Sequence, residues 1–266
     1  MTETLRERRI RFADGAETTL EQWGEDGPLL VGVHGLGASR RGWTRIGEHL
    51  AERYRLVAYD QRGHGDTSGP QNMTFARTVD DLAEVVRVLG EPVHALLGHS
   101  WGGAVVIGGG RRIEAARVLA IEPMLHAADG VWSSSVLPEY RKLLSGTLEA
   151  REAAIRAANA SLPEVEIEAK LHGGERVRLE AIVALGEENG IDAGRWSFRA
   201  LLDDYPRPLL IAVGDPKRTV FGARDRAYAR EHGGSQVRIA AYEGASHSLQ
   251  RDAFARFVPD LEAFLR

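Results

Sequence analysis

The chain of 266 residues contains no cysteine. That absence excludes disulfides, thiolate catalysis and cysteine-based zinc or iron–sulfur sites. Lysine is scarce too: three lysines stand beside 31 arginines. The arginines are interleaved with carboxylates and the formal net charge is only −4, so no nucleic acid and no anionic membrane is expected as a partner. Phosphate-cradling loops are missing: no glycine loop ends in Gly-Lys-Ser or Gly-Lys-Thr, and Gly35-Leu36-Gly37 meets Arg40 where a dinucleotide fingerprint needs glycine. No histidine pair has zincin spacing, so neither a metal nor a cofactor is expected. The longest stretch free of Asp, Glu, Lys and Arg, Pro92 to Gly110, is broken by glycines and carries two histidines and a serine. It reads as a buried strand–turn–helix, not as a membrane span. The charged opening, Met1 to Arg9, has no apolar centre of a secretory kind, which makes a cytoplasmic location the expectation.

What the sequence does contain is a hydrophobic share of 43% and a regular alternation of apolar runs with helical periodicity. Strands are expected at Leu29–His34, Tyr54–Asp60, Val93–Leu97, Arg117–Ile121, Pro208–Val213 and Val237–Tyr242, after an opening hairpin between Ile10 and Trp23. Helical spacing marks Trp43–Arg53, Thr78–Leu89 and Phe254–Leu265. Such alternation predicts an α/β fold with a mostly parallel sheet flanked by helices. Between Leu125 and about Leu202 the strand rhythm stops and helical patterns take over, interrupted at Leu162-Pro163 and Gly173-Gly174. The expected organisation is a core domain at 1–124 and 203–266, with a helical cap or lid at 125–202.

The chemistry centres on Gly98-His99-Ser100-Trp101-Gly102-Gly103. A buried strand leads into it and a small-residue helix leaves it, the setting of a nucleophile elbow. A serine on so tight a turn leaves no room for side chains two residues to either side. Its hydroxyl needs a base, and a base needs an orienting carboxylate. His247 lies in the loop after the last expected strand, on the sheet edge where sites form. Placed so, it is the candidate base. His99 is assigned to packing, pointing away from the nucleophile.

Together with His34-Gly35-Leu36-Gly37, Asp60-Gln61-Arg62-Gly63-His64-Gly65 and Gly244-Ala245-Ser246-His247, this elbow resembles the α/β-hydrolase fold superfamily over nearly the whole chain. The resemblance implies a Ser-His-acid triad under a helical cap, and an oxyanion hole formed by the backbone N–H groups of Leu36 and Trp101. The elbow tryptophan is similar to that of haloalkane dehalogenases and epoxide hydrolases, but their chemistry needs an aspartate where this chain has Ser100.

The acid departs from the family's commonest pattern, because the loop after the seventh strand reads Gly214-Asp215-Pro216-Lys217 and puts Lys217 where the acid is due. Glu122, which ends an otherwise apolar strand, is the first candidate; some related dehalogenases and zearalenone-type lactonases hold a glutamate there. Asp215 is the alternative. His34, Trp43, Trp132 and Trp196 are candidate pocket residues, with structural hydrogen bonding in its loop as the competing role of His34 and core packing as that of the tryptophans. The expected activity is hydrolysis of a carboxylic ester or lactone, with a small-molecule acyl substrate as the partner. A non-hydrolytic lyase, a perhydrolase or a ligand-binding protein on the same fold is the alternative.

Overall fold

A computed structural model describes residues 6–69, 72–128 and 130–266; residues 1–5 of the charged opening segment lie outside them. Eight strands form one sheet: β1 (Arg6–Arg11), β2 (Glu17–Trp23), β3 (Leu29–Val33), β4 (Arg55–Tyr59), β5 (Val93–His99), β6 (Ala115–Ile121), β7 (Leu209–Val213) and β8 (Val237–Ala241). Their order is β1-β2-β4-β3-β5-β6-β7-β8. β1 pairs with β2, and β2 with β4, antiparallel. From β4 to β8 every pairing is parallel. The helices are α1 (Thr44–Leu50), α2 (Phe75–Leu89), α3 (Trp101–Gly110), α4 (Leu137–Leu144), α5 (Leu148–Ala158), α6 (Glu164–Arg176), α7 (Leu179–Glu188), α8 (Ala223–His232), α9 (Leu249–Asp252) and α10 (Phe254–Leu265).

The central strands β3 and β7 are buried at every position, as parallel strands covered on both faces must be. Successive side chains alternate between two cores. Val31, Val33 and Leu96 face the layer of α2 and α3, whereas Leu30, Ala95 and Leu97 face α1 and α10. α3 is buried on every side, and its glycines let it lie close to its neighbours: a side chain at Gly109 would press on Leu82. α2 starts at Phe75, three residues ahead of the spacing-based expectation, because the Thr74 hydroxyl accepts the N–H of Arg77 and caps it. It stops at Gly90, whose φ of 70° closes the helix.

Buried arginines tie the sheet edge to the loops above it. Arg40 is 1% exposed and bonds Asp60, Asp66 at 2.8 Å and Glu7 at 2.7 Å. Arg62 bonds Asp81 in a two-pronged contact through Nε and Nη2. Breaking one partner of such a pair strands a buried charge. Asp60 also accepts the backbone N–H groups of Arg40 and Asp66, so it folds the loop after β4 around itself.

The chain between β6 and β7 holds α4 to α7. Its two ends are pinned together: Phe198 donates its N–H to Leu125 O at 2.7 Å, and Trp196 Nε1 donates to Met124 O at 3.0 Å. One expectation changes here. Gly173-Gly174 does not interrupt a helix but lies inside α6, because a side chain on Gly173 would come within 2.9 Å of Ala38 and Gly37 backbone atoms. Glycine here serves close packing of helix on loop, outweighing its helix penalty of about 1 kcal/mol. α8 and α9, which the periodicity does not mark, complete the layers.

Gly65 has a φ of 49°, and an added Cβ would collide with the Asp60 carboxylate. We expect Gly65→Ala to lower unfolding stability in urea by about 2 kcal/mol or more, whereas Gly234→Ala, at a similar φ of 67° with open space around it, should lose about 1 kcal/mol.

Candidate active site

The site is built at the carboxyl ends of β3, β5 and β6. β5 ends at His99, and the next residue, Ser100, has φ 55° and ψ −116°. That backbone region is reserved almost wholly for glycine. Its neighbours make the turn possible: a side chain at Gly98 would collide with Gly102 O, and one at Gly102 with the carbonyls of Val33 and His34. The turn is held by Ser100 N–H on Ile121 O at 2.9 Å and by Met124 N–H on Ser100 O at 3.1 Å. Ser100 keeps 8% of its surface exposed.

Glu122 follows β6 and also has a positive φ, 48°. Its side chain is fully buried and heavily bonded. Oε1 accepts the Gly214 N–H, Oε2 accepts the Val220 N–H at 2.9 Å, and the Thr219 hydroxyl reaches both oxygens, at 2.7 and 2.8 Å. His247 Nδ1 lies 3.3 Å from Oε2. Burial opposes ionisation, but the bonds from His247, Gly214, Thr219 and Val220 outweigh it and hold the carboxyl below its ordinary value. Asp215 is elsewhere. It is exposed and accepts the backbone N–H groups of Lys217 and Gly244 at 2.9 and 3.1 Å, which makes it the stay of its own turn. His99 does not point away. Its Nε2–H donates to His247 O at 2.9 Å and the two rings lie 4.8 Å apart. Burial and the neighbouring His247 keep it far below the usual histidine pKa, so a neutral ring steadies the loop that carries His247. Its place beside Ser100 in the sequence was the available signal.

Two more neutral histidines shape the loop after β3. His34 Nε2 accepts the Gln61 N–H at 2.9 Å, and its Nδ1–H donates to Gly35 O at 2.7 Å. His64 Nε2 accepts the Gly37 N–H at 3.0 Å, and its Nδ1–H donates to Arg62 O at 2.7 Å. Burial lowers their pKa values to about 4 and about 3. With Gly37 N–H taken, the Leu36 N–H has no acceptor among the described residues. Nor has the N–H of Trp101, which opens α3 and so lacks an intrahelical partner.

Leu36, Ser100 and His247 share a cavity of about 250 Å³ with Tyr140, Lys170 and Arg251. The four expected pocket residues do not line it. Trp43 packs beneath β3, against Gly32. Trp132 is 4% exposed and lies on Gly186. Trp196 is fully buried and stacks on Trp101 at 4.8 Å. His34 is spent on the loop. Large rings fill the core here because several elements converge on them. Thr219, Tyr140 and Lys170, which no motif marks, enter instead. Among the described residues, no group of three or more His, Asp or Glu side chains could hold a metal ion, and no helix is long and apolar enough to cross a membrane.

Residues 30–260 match the Alpha/beta hydrolase family, and the chain belongs to it. The probable oxidoreductase EphD of Mycobacterium tuberculosis is 41% identical over 101 residues; the match covers 36% of this chain and 17% of that protein's length. E-2-(acetamidomethylene)succinate hydrolase superposes with a TM-score of 0.80 at 18% identity, covering 98% of this chain and 99% of that one. An esterase from Rhodococcus sp. ECU1013 superposes with a TM-score of 0.74 at 22% identity, covering 98% of each chain. At these identities the two structures speak for the fold.

The histidine clamps carry a pH signature. Above about pH 6.5 the imidazoles are neutral in the folded and unfolded chain alike. Below it the unfolded chain takes up protons that folded His34 and His64 refuse until about pH 4 and about pH 3. Stability is therefore fully present above 6.5 and is lost as pH falls, by up to about 1.4 kcal/mol per pH unit for each ring. Urea midpoints should drop between pH 6.5 and 5. A midpoint unchanged down to pH 5 would rule out neutral clamps.

Proposed function

We propose that this chain is a serine hydrolase that cleaves a carboxylic ester or lactone through an acyl-enzyme. The observation that carries the reading is the 3.3 Å contact from Glu122 to His247, which shares one cavity with Ser100 and Leu36. Ser100 is the nucleophile. His247 takes its proton through Nε2, while Nδ1–H remains directed at Glu122. Glu122 fixes the ring's orientation and favours the imidazolium that forms in the transition state. Its three other donors keep it ionised and in place, which supports it over Asp215 as the acid.

As Ser100 Oγ bonds to the carbonyl carbon, the carbonyl oxygen becomes negative. The N–H groups of Leu36 and Trp101 are the donors for that charge, and one such donor is worth about 3–4 kcal/mol. His247 then protonates the departing alkoxide. Water enters, gives a proton to His247 and repeats the sequence on the acyl-enzyme, releasing the acid and restoring Ser100. The helices within residues 125–202 act as the cap, since α4 and α6 supply Tyr140 and Lys170 to the cavity. The esterase among the similar folds supports this assignment.

Turnover of short-chain 4-nitrophenyl esters tests it. Ser100→Ala should reduce kcat by about 10⁴-fold or more, and Glu122→Gln by about 10³- to 10⁴-fold. Asp215→Asn should stay within about twofold of the parent. Equal slow turnover by the parent and Ser100→Ala overturns the hydrolase reading. Loss in Asp215→Asn with retention in Glu122→Gln overturns the choice of acid.

A further inference from the structure

Lys170 stands on α6, in the wall of the cavity that also holds Ser100, Leu36 and His247. Among the described residues its ammonium makes no hydrogen bond, and no carboxylate lies within the 4.0 Å of an ion pair. The carboxylates that could serve it are engaged. Glu166, one turn earlier on α6, lies 3.0 Å from Arg251 Nε. Asp252 accepts the Ser246 N–H at 2.9 Å. Arg251 is itself a wall residue of the cavity and is 8% exposed. Lys170 is therefore left without a paired carboxylate at this wall, beside a second cation, while Asp252 acts on it only from beyond ion-pair distance.

An ammonium withdrawn from water without a partner is destabilising. Surface lysines escape that penalty by extending their heads into solvent. Lys170 is half-buried and lines the cavity instead. Burial, with help from Arg251, brings its pKa down to about 8, so the group is still charged at neutral pH.

We propose that Lys170, with Arg251 beside it, is an anion subsite, and that the substrate carries a free carboxylate a few bonds from the carbonyl that Ser100 attacks. The cavity of about 250 Å³ falls just below the roughly 300–1,000 Å³ range of drug-sized ligand sites. It suits a small acid, such as a half-ester of a short dicarboxylic acid. A charge-assisted bond from Lys170 would hold one end of such a molecule while the other lies at the nucleophile. The proposal rests on the hydrolase reading for the reaction, but the subsite can be tested without turnover.

Calorimetry on the Ser100→Ala protein with succinate provides that test. Succinate should bind, and adding Lys170→Met should weaken it about 10- to 100-fold, the value of a hydrogen bond to a charged group, with Lys170→Arg restoring most of the loss. Absence of succinate binding, or equal binding with Lys170→Met, overturns the subsite. With Ser100 intact, the ratio of kcat/KM for monomethyl succinate to that for dimethyl succinate should fall at least about tenfold in Lys170→Met. An unchanged ratio overturns the subsite while leaving the hydrolase in place. Lys170-dependent binding of succinate without cleavage of either ester, by contrast, keeps the subsite and overturns the hydrolase.

Discussion

Ser100 is held at φ 55° and ψ −116°, and the rest of the site is arranged around that one residue. A side chain in this region persists only where its surroundings leave no alternative. Here β5 delivers the chain into the turn and α3 carries it away. Gly98 and Gly102 remove the atoms that would otherwise fill the turn. The strain is offset by the interior on both sides, since β5 and α3 belong to the best-buried part of the molecule. A rigid core makes the strained turn affordable, and the strained turn lifts the hydroxyl clear of the sheet.

Around the turn, charge is distributed in a definite way. The histidines next to the backbone are neutral: His34 and His64 are clamps of the loop after β3, and His99 steadies the loop of His247. Burial enforces that neutrality, because an imidazolium in these positions would have no counter-ion in contact among the described residues and would lose its hydration. The ionised group at the base of the site is Glu122, kept so by backbone and hydroxyl donors. His247 is different from the other three because it touches both this carboxylate and the cavity. One imidazole thus joins the carboxylate to the cavity, and its neighbours hold backbone.

The helices between β6 and β7 are part of the same construction. Gly173 brings α6 against Ala38, and Gly37 lies under the Tyr140 ring of α4. Both contacts fall on the loop whose Leu36 lines the cavity. The helical segment thereby closes the cavity and braces the loop at its floor, so a change in α4 or α6 acts on two parts of the site at once.

The fold and the inner part of the site are legible in the amino-acid sequence because they depend on local rules. Apolar runs alternating with helical spacing give the parallel sheet. The glycines around Ser100 announce a tight turn, and His34, His64 and His247 sit in the loops that follow strands, at the edge where loops converge. Glu122 could be named but not separated from Asp215. Its distinguishing partners, Gly214, Thr219 and Val220, are some 90 residues further along the chain. Nor could the sequence assign the tryptophans or single out Lys170. Trp43, Trp132 and Trp196 are apolar enough for either a pocket or a core, and only the crowding of several elements around each ring makes them core. Lys170 reads as one more charge on a helix until α6 folds back over Ser100 and leaves its ammonium in the cavity wall. Short-range sterics and periodicity are written in neighbouring residues; the partner of a buried charge is decided by which distant segments arrive beside it.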